Sequence, residues 1–310
     1  MTVTPRPTQW QLRTRQLPLP ALGQPPLLMG IVNVTPDSFS DGGRHTDIEA
    51  AVDHGLQLAA AGADILDVGG ESTRPFADPV AAEEEWRRVG EVIRRLAAES
   101  RLPVSIDTSK PVVAEQAIAA GAEIINDVTG LEGDPAMAEL AQATGVGVCA
   151  MHMQGTPQTM QLEPRYDNVL AEIHDYLRQR RDALLAAGIA PAAICLDPGI
   201  GFGKTHQHNL QLMQRAGHFL DLGCPILVGH SRKGFLGKLM SQLHDHEPTL
   251  VERDLATAAT ACSLAAQGIQ IIRIHDVASA RIALTTFLAT FTAAEVPVKP
   301  LPPEQPPRTA

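Results

Sequence analysis

Along the chain, short apolar runs that end on polar residues alternate with longer stretches in which apolar positions recur every three or four residues. Eight runs read as strands: LLMGIVNV from Leu27, ADILDVGG from Ala63, PVSID from Pro103, EIIND from Glu123, VGVCAMHM from Val146, AICLDP from Ala193, PILVGHS from Pro225 and IIRIHD from Ile271. Helical spacing fills the gaps. Trp86, Val89, Ile93 and Leu96 share one face of EEEWRRVGEVIRRLAAE, and VASARIALTTFLATF follows the eighth run. Thr46-Asp47-Ile48-Glu49 has a capping-box pattern and predicts a helix start there. Parallel strands need crossover helices, so eight strand–helix units predict an α/β chain with a parallel sheet. The count of eight favours a closed (β/α)8 TIM barrel in a single domain over an open doubly wound sheet. No GxGxxG opens the first helix, which counts against a dinucleotide fold.

The flanks differ from this core. Residues 1–26 form a Pro- and Gln-rich leader without a signal-peptide core, residues 27–295 the barrel, and residues 296–310 a Pro-rich tail expected to be disordered. The 310 residues carry a net charge of −10, which argues against a nucleic-acid partner. No apolar stretch approaches the ~18 residues of a membrane span, so a soluble protein is expected. Cys149, Cys195, Cys224 and Cys262 are widely spaced and form no CxxC pair, which fits a reducing cytoplasm better than disulfides or zinc.

Chemistry enters through position. Each apolar run ends in ionisable or amide residues: Asn33, Asp67, Asp107, Asn126–Asp127, His152, Asp197, His230–Lys233, and Arg273 with His275 and Asp276. In a barrel these ends converge on the face that carries active sites. Helix capping explains a single Asp, but a helix N-terminus disfavours Arg273 and Lys233. Arg74, Lys233, Arg273 and His275 read as donors lacking acidic partners and, with Asn33, suit a phosphate or diphosphate. Asp107, Asn126 and Asp197, with Lys233, suit the edge of a flat, guanine-like heterocycle. DPGIGFGKT (197–205) fails as a P-loop because Pro198 stands where glycine is needed, and its glycines instead let backbone pass close to a planar ligand. Met151 and Met153 point the same way on their strand, as core filling or as the lining of an aromatic pocket. The pairs His206/His208 and His244/His246 read as loop histidines, since no ligand cluster accompanies them.

The combination NVTPDSFSDGG (33–43), DVGGESTRP (67–75), SIDTSK (105–110), IINDVTG (124–130), MHMQGTPQTMQ (151–161), LDPGIGFGKT (196–205), GHSRKG (229–234) and RIHD (273–276) resembles the dihydropteroate synthase family. The resemblance covers about Leu27 to Phe291. It implies a dimeric barrel that condenses (7,8-dihydropterin-6-yl)methyl diphosphate with 4-aminobenzoate, using Mg2+. It assigns Asp107, Asn126, Asp197 and Lys233 to the pterin, Asn33 to Mg2+, and Arg74, Arg273 and His275 to the diphosphate. Thr73, Pro75, Phe39 and Ser231 then shape the aminobenzoate pocket, and Met153 and Phe202 count as further substrate contacts. Asp107, Asp197, Lys233 and Arg74 are the expected catalytic residues. Residues 33–43 and 70–80 would be mobile loops, with Phe76 standing where the family usually has glycine. Two other functions fit the pterin contacts alone: a pterin-binding methyltransferase and a non-catalytic pterin-binding relative.

Overall fold

The computed structural model describes residues 5–35, 43–75, 77–242 and 246–291, with the side chains of 43–46 outside that description. A short hairpin, β1 (Gln9–Gln11) with β2 (Gln16–Pro18), precedes eight parallel strands. These are β3 (Leu27–Asn33), β4 (Ile65–Gly69), β5 (Val104–Asp107), β6 (Ile124–Asp127), β7 (Gly147–Met151), β8 (Ile194–Asp197), β9 (Leu227–Val228) and β10 (Ile271–Ile274). The pairing order runs β8-β7-β6-β5-β4-β3-β10-β9. A parallel bridge between Leu196 and Ile226 joins its two ends, so the sheet is a nearly closed barrel. Each predicted strand run contains one of these eight strands.

Helices α1 (Gly43–Ala60), α2 (Ala82–Glu99), α3 (Pro111–Ala120), α4 (Pro135–Thr144), α5 (Val169–Ala186), α6 (His206–Gln214), α7 (Gly234–Met240), α8 (Leu250–Ala266) and α9 (Val277–Phe291) surround the barrel. Helix α9 matches its predicted bounds. Helix α1 begins three residues before the Thr46 capping pattern, which therefore lies inside its first turn. The tail 296–310 and the tip of the first loop, including Phe39, lie outside the described residues.

Side chains alternate across each strand, so every second residue faces the barrel axis. Going up β4, β6, β8 and β10, the inward series is Ile65 then Asp67, Ile124 then Asn126, Cys195 then Asp197, Ile271 then Arg273. The lower layer is apolar: Met29, Ile65, Ile124, Cys149, Cys195, Leu227 and Ile271 pack as one buried cluster. Two residues further along, β4, β6, β8 and β10 carry Asp67, Asn126, Asp197 and Arg273 instead. This step from apolar to ionisable within one period places the chemistry at the barrel mouth.

The leader supplies the floor. Trp10 and Leu12 of the hairpin are fully buried and belong to the same lower cluster. Trp10 Nε1 donates to the Ala193 carbonyl at 2.9 Å, and Gln270 Nε2 donates to Pro7 O at 2.9 Å. Gly147 makes room for the plug, since a Cβ there would lie 2.8 Å from Leu12 Cδ2. Its strand position invited no such reading from sequence.

Candidate active site

The polar upper layer opens into a cavity of about 1140 Å3, bordered by Asn33, Thr73, Arg74, Pro75, Asp107, Ser231, Lys233, Arg273 and His275 among others. Nine predicted site residues therefore share one wall system. Asn126 and Asp197 lie just beneath it, each 5% exposed. Phe39 falls outside the described residues.

Arg273 organises the floor. Its Nε donates to Asp67 Oδ2 at 2.5 Å and its Nη2 to Asp107 Oδ2 at 2.7 Å. The expectation that Arg273 lacks an acidic partner is therefore corrected. Period-two geometry puts Asp67 and Asp107 on neighbouring strands, within reach of a guanidinium fork entering from β10. Asn126 Nδ2 also donates to Asp67 Oδ2, at 3.2 Å, which leaves the Asn126 carbonyl oxygen for a ligand. Asp67 is fully buried, and its Oδ1 has no partner. Sequence reading placed Asp67 at a strand end without assigning it a role. Its role is to fix Arg273 and Asn126 together.

Burial dominates the titration of these groups. It pushes Asp107 above the ordinary carboxylate range, with Arg273 opposing and Asp67 reinforcing. It pushes Asp197 up to about 6, against hydrogen bonding from Gly199 and the charge of Lys204. It lowers Lys233 to about 8, with Arg273 adding to the effect. Asp67, Asp107 and Asp197 share this region with Arg273, Lys233 and Lys204, so acidic and basic side chains are matched in number there, and burial draws Lys204 well below the usual lysine range.

Lys233 and Ser231 flank Arg232, whose φ of 58° is uncommon for a non-glycine residue. A bidentate pair to Asp254 (2.6 and 2.8 Å) and a hydrogen bond from its N–H to Thr257 Oγ1 hold it there. This turn lets both neighbours line the cavity. Ser231 Oγ accepts from the His275 backbone N–H at 3.1 Å and lies 2.9 Å from His275 Nδ1. Burial and the charges of Arg232, Arg273, Lys233 and Arg74 bring His275 down to about 3, so its imidazole is neutral.

The glycine-rich loop 199–203 runs beneath Lys233. The Lys233 ammonium sits 3.9 Å from the centroid of Phe202. Gly201, at φ 85°, has no room for a side chain, since a Cβ would lie 2.9 Å from Lys233 Cδ. Lys204 is buried and uses its three protons on Phe202 O (2.8 Å), His152 Nδ1 (3.0 Å) and His152 O (3.3 Å). Gln161 donates to Gly201 O and Tyr166 to Gly203 O, each at 2.8 Å. Sequence reading missed Lys204, Gln161 and Tyr166 because their role is to hold backbone. Met153 is partly buried against Met151, Met160 and Phe202, an apolar patch beside the site. His206 and His208 open α6 rather than sitting in a loop, and His208 reciprocates the Thr205 cap, which corrects the reading of that pair as loop histidines.

Arg74 and Pro75 are exposed at the rim, and Arg74 has no carboxylate partner among the described residues. A Mg2+ ion fits what the wall offers. Among the described residues no three His, Cys, Asp or Glu side chains converge as a cage. Mg2+ needs few protein oxygens when substrate phosphates and water complete its shell, and half-buried Asn33, a residue type whose amide oxygen ligates Mg2+, lines the cavity.

A barrel with an acceptor-rich floor and a cationic mouth is built to grip a flat polar ring bearing an anionic group. The family model described as pterin binding enzyme matches residues 29–275, and the chain belongs to that family. Its similarity runs to dihydropteroate synthases in particular. The enzyme of that name from Neisseria meningitidis serogroup B is 46% identical over 269 residues, covering 85% of this chain and 92% of the relative. A solved Xanthomonas albilineans dihydropteroate synthase with 4-aminobenzoic acid superposes with a TM-score of 0.83 at 44% identity, covering 92% of this chain and 98% of that one. The same species' enzyme in complex with 7,8-dihydropteroate gives 0.79 at 42% identity, with coverage of 91% and 98%. Among the described residues no helix is long and apolar enough to cross a membrane.

Proposed function

We propose that this chain is a transferase of folate biosynthesis that joins (7,8-dihydropterin-6-yl)methyl diphosphate to 4-aminobenzoate, yielding 7,8-dihydropteroate and diphosphate. The observation that carries this reading is the Asp107–Arg273–Asp67–Asn126 network beside Asp197 and Lys233. It supports a floor whose carboxylates and amide accept the pterin N–H groups while Lys233 donates to the ring's carbonyl or nitrogen. A methyltransferase needs no cationic mouth above such a floor.

The bond from the pterin methylene to the diphosphate oxygen breaks, and both electrons leave with the oxygen. Arg74, Arg273 and a ring N–H of the neutral His275 imidazole stabilise that developing charge. The methylene is conjugated with the ring, so positive charge spreads into the heterocycle, where Asp107 and Asp197 favour it. The arylamine nitrogen of 4-aminobenzoate then forms the new C–N bond and loses one proton. Thr73, Pro75, Ser231 and, in the first loop, Phe39 shape its pocket. Mg2+ held by Asn33, when bound, neutralises charge on the leaving diphosphate. The family resemblance supports a homodimer, and four free cysteines support a reducing cytoplasm.

Incubating the protein with both substrates and Mg2+ tests this reading. Diphosphate and dihydropteroate should appear in equal amounts. Pterin binding without product would establish a binding module instead.

A further inference from the structure

The segment 72–75 is held at its base by a clamp that no substrate contact requires. Glu71, at the cavity wall, uses its side chain twice. Its Oε1 accepts from the Val80 N–H at 2.8 Å, joining the two ends of the 71–80 loop. Its Oε2 lies 2.6 Å from Lys110 Nζ. Lys110 in turn contacts Glu85 Oε2 at 2.5 Å, and Glu85 is fully buried in the first turn of α2. The backbone at the neck is fixed as well. Arg88 Nη1 donates to Gly70 O at 2.8 Å, and a Cβ on Gly70 would meet Val89 Cγ1 at 2.8 Å.

This arrangement joins two consecutive strand–helix units. Glu71 follows β4, Glu85 is on α2, and Lys110 stands at the N-cap position of α3 without capping it. A lysine at a helix N-terminus opposes the helix dipole, and a buried glutamate costs free energy unless it is paired. Each is unfavourable alone, and together with Glu71 they compensate one another.

We propose that Lys110, by tying Glu71 to Glu85, is a positioning residue that sets where Thr73, Arg74 and Pro75 stand over the cavity, and so governs capture of the arylamine and of the diphosphate rather than of the pterin ring. The inference rests on the reading of 72–75 as the aminobenzoate and diphosphate segment. Lys110 itself touches no substrate group. Its effect passes through the Glu71 carboxylate to the loop neck.

The test is the double variant Lys110→Met/Glu85→Gln, which removes the tether without leaving an unpaired buried charge, beside Lys110→Arg, which keeps it. The double variant should raise the KM values for 4-aminobenzoate and for the pterin diphosphate about tenfold each, and change the Kd of a dihydropterin without its diphosphate less than about twofold. Amide hydrogen exchange across 71–80 should accelerate about tenfold in the double variant and stay near the parent rate in Lys110→Arg, reporting local opening. The exchange readout needs no turnover, so absence of condensation in the parent protein would overturn the functional reading without touching the clamp. A lowered melting temperature with exchange and both KM values unchanged would reduce the triad to a structural staple and overturn the proposal. Loss of affinity for the diphosphate-free pterin by the same factor would overturn it too.

Discussion

Arg273 and Asp67 meet at 2.5 Å on the barrel floor, β10 to β4, although 206 residues separate them in the chain. Asp67 is wholly buried and takes a second hydrogen bond from Asn126, so one carboxylate sets the position of two groups that face the ligand. Truncating one member of a buried pair strands the other, at a cost of about 3–5 kcal/mol. Arg273→Met should therefore lower stability by that order and abolish turnover. Adding Asp67→Asn should recover much of the stability but not the activity. Chemical denaturation with steady-state kinetics on the two variants separates these effects.

Two glycines of one loop should fail in different ways. At Gly201 an added methyl meets the flexible stem of Lys233, 2.9 Å away, whereas at Gly199 it would lie against the His152 carbonyl oxygen. Gly201→Ala should fold and lose about ten- to a hundredfold in kcat/KM through a displaced Lys233. Gly199→Ala should fail to fold or melt far lower. Expression yield, thermal melting and kinetics on both report the difference.

The pH profile follows from burial. Asp197, raised to about 6, accepts pterin N–H bonds only when ionised, so kcat/KM should fall as pH drops through that value. Lys233, lowered to about 8, donates only when protonated, so kcat/KM should also fall as pH rises past it. The predicted profile is a bell between these limits. Lys204→Met removes a cation that holds Asp197 down, and should move the acidic limb upward. A flat profile from pH 5 to 9 would contradict the assignment of both groups.

The plug beneath the barrel serves stability alone. Trp10 is fully buried against the lower layer, and its indole N–H is bonded to Ala193 O. Trp10→Ala should cost about 3–5 kcal/mol, the usual range for an aromatic core truncation, with both KM values unchanged. Denaturant melts and kinetics on the variant check this.

Sequence alone made the barrel legible because its strands alternate on a period of two and each ends on a residue that cannot be buried without a partner. Ile65–Asp67 and Ile271–Arg273 show the step directly. The substrate-facing residues were legible for the same reason, and their combination matched a family. Partnership was not. Nothing in the spacing of Asp67, Asp107 and Arg273 says that the three form one ion network, since closure of the sheet creates it. Lys204 and Gln161 act on carbonyl oxygens, which carry no sequence signature. The leader's polar composition hid Trp10 and Leu12, one in a three-residue strand and the other just beyond it, a stretch too short for periodicity to register.

The most direct test of the account is turnover by Lys233→Ala beside the parent protein, with thermal melting of both. The parent should release one diphosphate for each dihydropteroate formed. The variant should form none at the same concentrations while melting within a few degrees of the parent, because strand-end residues of a barrel serve the site more than the core. Product formation by the variant at the parent rate, or a variant that does not fold, would contradict the placement of the pterin on the barrel floor.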